Sequence, residues 1–256
     1  KGGVNFTESY SAHPVCSPTR AAFMSGKAPQ RVGITQWIHQ PSKIHLALSE
    51  VTIGEAFKEA GYSTGYIGKW HIGEEDEQMP TGQGFSWMKA VNRAGQPASF
   101  FYPYNRKNKK RGSFWDVPDL EKGKKGDYLT DAVTDHAIDF IDMNKENPFF
   151  LIMAHYAVHT PIQAPKELVN KYKAKKEKLY GKSKTPSISD RYDTVSRARQ
   201  DHVTYAAMME NLDTNIGRVI AKLEADKLLD NTIVIFTSDN GGHCHLKRPG
   251  MTSNAP

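Results

Sequence analysis

Three short strand-forming runs, residues 63–68, 149–154 and 232–237, each preceded by a stretch with helical periodicity, narrow the folds open to this chain more than any other feature. Thr52-Ile53-Gly54-Glu55 has the form of a capping box, and the helix it opens ends near Gly61, just before the first run. Residues 128–143 set Leu129, Ala132, Val133, His136, Ile138, Phe140 and Ile141 mostly along one stripe, and Pro148 stops that helix before the apolar run Phe149–Ala154. Residues 198–225 predict a long helix leading into residues 232–237. Apolar strands separated by helices predict an α/β fold, a mostly parallel sheet with helices on both faces. At 256 residues and 38% hydrophobic, one large domain over residues 1–256 is the expectation. Residues 78–126, rich in Gly, Lys and aromatics, predict an irregular insertion.

In parallel sheets ligands bind beyond the carboxyl ends of the strands. All three runs end in polar clusters: Lys69-Trp70-His71, His155, and Ser238-Asp239-Asn240-Gly241-Gly242. A fourth polar element, Cys16-Ser17-Pro18-Thr19-Arg20, predicts a helix start, with Ser17 as N-cap, Pro18 in the first helical position and Arg20 one turn beyond Cys16. Position 16 is then at a helix N-terminus, which favours an anionic ligand. Each residue also has a plain reading. Cys16 could be a buried thiol, Lys69 a solvated loop lysine, His71 or His159 a histidine satisfied by a carbonyl, and Asp239-Asn240-Gly241 a turn.

Cys16-Ser17-Pro18-Thr19-Arg20, Gly68-Lys69-Trp70-His71, His159-Thr160-Pro161 and Ser238-Asp239-Asn240-Gly241, in that order, resemble the signatures of the type I, formylglycine-dependent sulfatases of the alkaline-phosphatase-like superfamily. The resemblance implies hydrolysis of sulfate esters, with Cys16 oxidised to formylglycine and one hydroxyl of its gem-diol as nucleophile. It implies that Arg20 orients the gem-diol, Lys69 binds a sulfate oxygen, His159 protonates the leaving group and His71 assists collapse of the sulfated intermediate. Asp239 and Asn240, with the modified Cys16, would hold Ca²⁺ or possibly Mg²⁺. A sulfated carbohydrate or aryl sulfate substrate, a formylglycine-generating enzyme as partner, and a periplasmic or secreted location are implied in the same way. The family's paired aspartates upstream of the cysteine are absent, and its second sulfate-binding lysine is not reached. Lys247 lies close to the Asn240 loop for that role, although it could line the pocket. The expectation is therefore a partial chain lacking its first strand and its C-terminal part, one that may itself be inactive. The alternatives are a related phosphate or phosphonate ester hydrolase, or a non-catalytic fragment that binds sulfated glycans.

Net charge is +6 with a pI near 9.1, concentrated in residues 105–125 and 166–184. Lys171, Lys173, Lys175, Lys176 and Lys178 predict a solvated face, with steering of a polyanion as the functional alternative. No helix-turn-helix, zinc-finger or RNP-like pattern accompanies them, so no nucleic acid partner is expected, and no membrane span is expected either. Cys16 and Cys244 do not make a disulfide framework, and Cys244 is expected as a free thiol. No secretion signal is evident at Lys1. His155 is expected to be structural, His13 to line the pocket, and His45, His243 and His245 to be weaker candidates for substrate contact. Trp87, Phe100, Phe101, Tyr102, Tyr104, Phe114 and Trp115 could stack on pyranose rings or pack the insertion.

Overall fold

A computed structural model describes residues 2–105, 114–189 and 195–243; Cys244, His245, Lys247 and part of the 105–125 basic segment lie outside them. The helices are α1 (Cys16–Ser25), α2 (Ile53–Glu59), α3 (Leu129–Asn144), α4 (Lys166–Tyr180) and α5 (Val203–Ala225). The strands are β1 (Ser63–Gly68), β2 (Trp87–Lys89), β3 (Phe149–Ala154), β4 (Ser187–Ser189) and β5 (Val195–Arg197). β1 is central in a parallel sheet of order β2-β1-β3, with Tyr66 opposite Met88 and Ile152 and Ile67 opposite Lys89 and Met153.

Side chains alternate across this sheet, and the alternation makes two cores. Tyr66, Met88, Phe150, Ile152 and Ala154 join Ala21 and Met24 of α1, Ile53 of α2, and Trp70 and Phe85 on one face. Ile67, Trp87, Leu151 and Met153 join Leu129, Val133 and Ala137 of α3 and Met208 of α5 on the other. The sheet is therefore covered on both faces, as an α/β fold requires. Thr52 forms the capping box with Glu55. Phe100 and Tyr104 are buried in the second core, so these two aromatics pack the insertion and cannot stack on a sugar.

Three expectations are corrected. Residues 232–237 form no strand and pair with none among the described residues, and Ile233 and Phe236 are 90% and 74% exposed. An unbroken apolar run favours a strand locally, but a strand exists only where a neighbour supplies ladder partners. β2, inside the supposed irregular insertion, does pair with β1. Helix α5 begins at Val203, later than 198, because residues 195–197 pair in the β4–β5 hairpin and the His202 side chain accepts from Tyr205 N to cap the helix. On α4, Lys171 pairs with Glu210 and Lys176 with buried Asp201, while Lys173, Lys175 and Lys178 are exposed.

Candidate active site

Helix α1 starts at Cys16 itself, with Val15 in the N-cap position and Pro18 in the third helical position. Ser17 is thus not the cap: its Oγ accepts from Ile38 N at 3.0 Å, because the loop that follows α1 brings that buried N–H within reach. Thr19 ties down the preceding chain instead, accepting from His13 N at 3.1 Å and donating to His13 O at 2.8 Å. Arg20 falls one turn after Cys16, as the spacing predicted. Its Nε donates to Asp239 Oδ2 at 2.8 Å, and its Nη1 to Lys69 O at 2.5 Å and to Tyr66 Oη at 3.2 Å. Tyr66, fully buried in β1, also donates to Lys69 O. Burial pushes its hydroxyl up to about 12, against the pull of Arg20, so it remains a neutral donor.

Beyond β1 the backbone turns sharply. Gly68 has φ +94°, and a Cβ there would lie 2.2 Å from Ala154 O, so only glycine fits both the angle and the approach of β3. His71 also takes a left-handed conformation, φ 65°, which costs on the order of 1 kcal/mol for a non-glycine residue. Between them Trp70 goes into the core, its Nε1 donating to Gln78 O. Lys69 and His71 are each only 4% exposed.

His71 has one defined tautomer. Ile38 O, a pure acceptor, lies 2.8 Å from Nε2, so Nε2 carries the proton and Nδ1 presents its lone pair to Cys16 Sγ at 3.2 Å. Burial, reinforced by the Lys69 charge, pushes the imidazole down to about 3. At neutral pH it is an uncharged base facing position 16. The same ring is roofed by Gly95, where a Cβ would come within 2.2 Å of Cε1.

His159 follows β3. Its Nδ1 is 3.3 Å from Thr160 O and 3.1 Å from Thr160 Oγ1, and that hydroxyl donates to Gln96 Oε1. Burial and then the Lys69 charge hold its ring down at about 4, so it is neutral at pH 7. His155 also sits at the end of β3; both ring nitrogens are buried with no hydrogen-bond partner among the described residues, and burial alone lowers it to about 4.

Asp239 completes the cluster, 2.8 Å from Arg20 Nε and 3.7 Å from Lys69 Nζ. Burial raises its carboxyl, but the two cations outweigh that and hold it below the usual carboxylate range. Burial pushes Lys69 the other way, downwards, with Arg20 adding to the effect while Cys16 and Asp239 oppose it. Cys16, Arg20, Lys69, His71, His159 and Asp239 are therefore brought together at the carboxyl edge of the sheet. Asn240 is half-buried beside Asp239, its Nδ2 donating to Gly241 O. His45 bonds Lys43 O on the exposed surface, and His243 is exposed.

The described donors fall short of a hard divalent cation. Such ions take six to eight oxygens. Asp239 and Asn240 offer few, the Asp239 carboxylate is already held by two cations, and no group of three His, Cys, Asp or Glu residues suited to a metal occurs among the described residues. Tyr66, Ile38 and Gly95 are the parts of the site that motif reading missed. All three act through tertiary contact, which no local pattern in the sequence signals.

A family model described as Sulfatase matches residues 1–256. The arylsulfatase of Hemicentrotus pulcherrimus is 29% identical over 94% of this chain and 41% of that protein. The human N-acetylgalactosamine-6-sulfatase is 30% identical over 93% of this chain and 43% of its own length. The chain thus spans less than half the length of these relatives. Among solved structures, the crystal structure titled Ps i-CgsB superposes with a TM-score of 0.71 at 30% identity, over 91% of this chain and 50% of that one; a second is its complex with k-i-k-neocarrahexaose.

Proposed function

The chain belongs to the sulfatase family, and from that premise we propose that it hydrolyses sulfate esters of carbohydrate through a nucleophile at position 16. The observation that carries this reading is the Cys16–His71 contact, a neutral imidazole whose only free lone pair meets Cys16 Sγ, set beside Arg20 and Lys69. Sulfuryl transfer places negative charge on the sulfuryl and leaving oxygens, and buried cations stabilise it most where water is excluded.

In this reading Cys16 is converted by a formylglycine-generating enzyme, so the thiol stands in for an aldehyde hydrate. One hydroxyl attacks sulfur and releases its proton to solvent, while the sulfur–ester oxygen bond breaks and that oxygen departs with a proton from His159. His159 must first be charged; burial is the larger obstacle and the Lys69 charge the second, and the negative charge of a bound sulfate ester beside Lys69 offsets the second. His71 Nδ1 then takes the proton of the remaining hydroxyl, the carbonyl reforms and sulfate leaves; water rehydrates the aldehyde. Arg20 and Lys69 hold oxygens throughout. The reading includes Ca²⁺ or Mg²⁺ as the group Asp239 and Asn240 would help to bind, where it would neutralise sulfuryl charge. The donors among the described residues do not complete such a site.

The relatives named for N-acetylgalactosamine-6-sulfate and neocarrahexaose support a sulfated sugar as substrate class, and the family supports export beyond the cytoplasm. No described helix is long and apolar enough to cross a membrane. Matched aryl sulfate and aryl phosphate esters test the reaction class: preferential sulfate turnover is expected, and preferential phosphate turnover would favour the related phosphoester hydrolases instead.

A further inference from the structure

Trp37 stands out once the site is assembled. It is 50% exposed, although neighbouring Ile34 and Ile38 are 1% and 2% exposed. The segment carrying it is pinned. Ile38 N donates to Ser17 Oγ, Ile38 O accepts from His71 Nε2, and Ser42 N donates to Glu74 Oε1 at 2.8 Å. Trp37 and His39 are the outward members of an alternating stretch in which Ile38 and Gln40 point in, and their rings lie 5.2 Å apart at 44°.

Single exposed apolar side chains are common and need no explanation. The position of this one is different. The residue next to it touches both the helix that presents Cys16 and the imidazole that faces Cys16 Sγ, so Trp37 is carried on a segment anchored to both sides of the reacting position. A rigid aromatic face costs little conformational entropy to present, and it matches the apolar C–H face of a pyranose, whereas a bare sulfate ion gains nothing from it.

We propose that Trp37, backed by His39, is the stacking platform for the sugar ring that bears the scissile sulfate. It is a specificity residue and takes no part in bond breaking. The proposal rests on the sulfated-carbohydrate reading above. It divides recognition into two parts: Lys69 binds the sulfate, and Trp37 binds the ring.

The test is calorimetric titration of Cys16→Ser protein, which cannot turn over, with a sulfated galactan hexasaccharide and separately with inorganic sulfate, in the Trp37, Trp37→Ala and Trp37→Phe backgrounds. The expected result is about fivefold to tenfold weaker hexasaccharide binding for Trp37→Ala, near-parental binding for Trp37→Phe, and unchanged sulfate binding throughout. Equal losses on both ligands would make Trp37 structural, and no loss on either would leave it without a role; both results overturn the proposal. If the Trp37 protein binds neither ligand, the sulfate-site reading itself fails and the platform falls with it.

Discussion

Gly95→Ala tests how tightly His71 is held. The added Cβ would lie 2.2 Å from Cε1, 2.3 Å from Nδ1 and 2.8 Å from Nε2 of the His71 ring, where ordinary contact begins near 3.4 Å. One side must therefore move by about 1 Å. The ring has little freedom to do so, since Ile38 O holds Nε2 at 2.8 Å, Nδ1 is 3.2 Å from Cys16 Sγ, and the backbone is already left-handed. Overpacking of this kind costs about 1 to 3 kcal/mol, and loss of the imidazole–carbonyl bond about 1 kcal/mol more. A displacement near 1 Å at a catalytic base costs on the order of 10²-fold in turnover. Urea denaturation and aryl sulfate kinetics on the matured protein read the two effects separately. The expected outcome is a lower midpoint with an unchanged slope and a kcat reduced far more than KM is raised. Parental stability together with parental kcat would show that the roof over His71 is not tight and that this geometry is wrong.

Two further outcomes follow from the buried histidines. His71, His155 and His159 have folded values of about 3, 4 and 4 against an ordinary 6.5, so below pH 6.5 the unfolded chain takes up protons that the folded one refuses. Stability is thus fully present above pH 6.5 and falls as pH drops towards 4, by up to about 1.4 kcal/mol per pH unit for each ring. The three together cost about 6 kcal/mol at pH 5, comparable with the whole stability of many domains; a urea midpoint unchanged between pH 7 and pH 5 would contradict their neutral burial. His159→Ala should slow sugar sulfates, which have poor leaving groups, by about 10² to 10⁴ while affecting activated aryl sulfates much less. Equal losses on both substrates in steady-state assays would assign His159 to sulfate binding.

Local patterns carried α2, α3, β1 and β3, because each is decided by a cap, a stripe or an apolar run within its own residues. They failed at β2, which is only three residues long and exists because β1 lies beside it. They failed in the opposite sense at residues 232–237, whose composition favours a strand but whose backbone has no ladder partner among the described residues. Cys16, Arg20, Lys69, His71, His159 and Asp239 were legible as candidates, since each follows an apolar run or lies in the first turns of a predicted helix. Their relations were not. The tautomer of His71 depends on Ile38, thirty-three residues away, and Asp239 meets Arg20 across a separation of 219. Ser17 was misread as a cap because its true partner, Ile38 N, is brought to it only by tertiary packing.

The central claim is that position 16 carries the nucleophile as formylglycine, and mass spectrometry of the tryptic peptide ending at Arg20 tests it most directly. In a preparation that hydrolyses aryl sulfate, the peptide should contain an aldehyde or its hydrate at position 16. It should not contain a thiol that reacts with an alkylating reagent. An intact, fully alkylatable Cys16 in such a preparation would contradict the account.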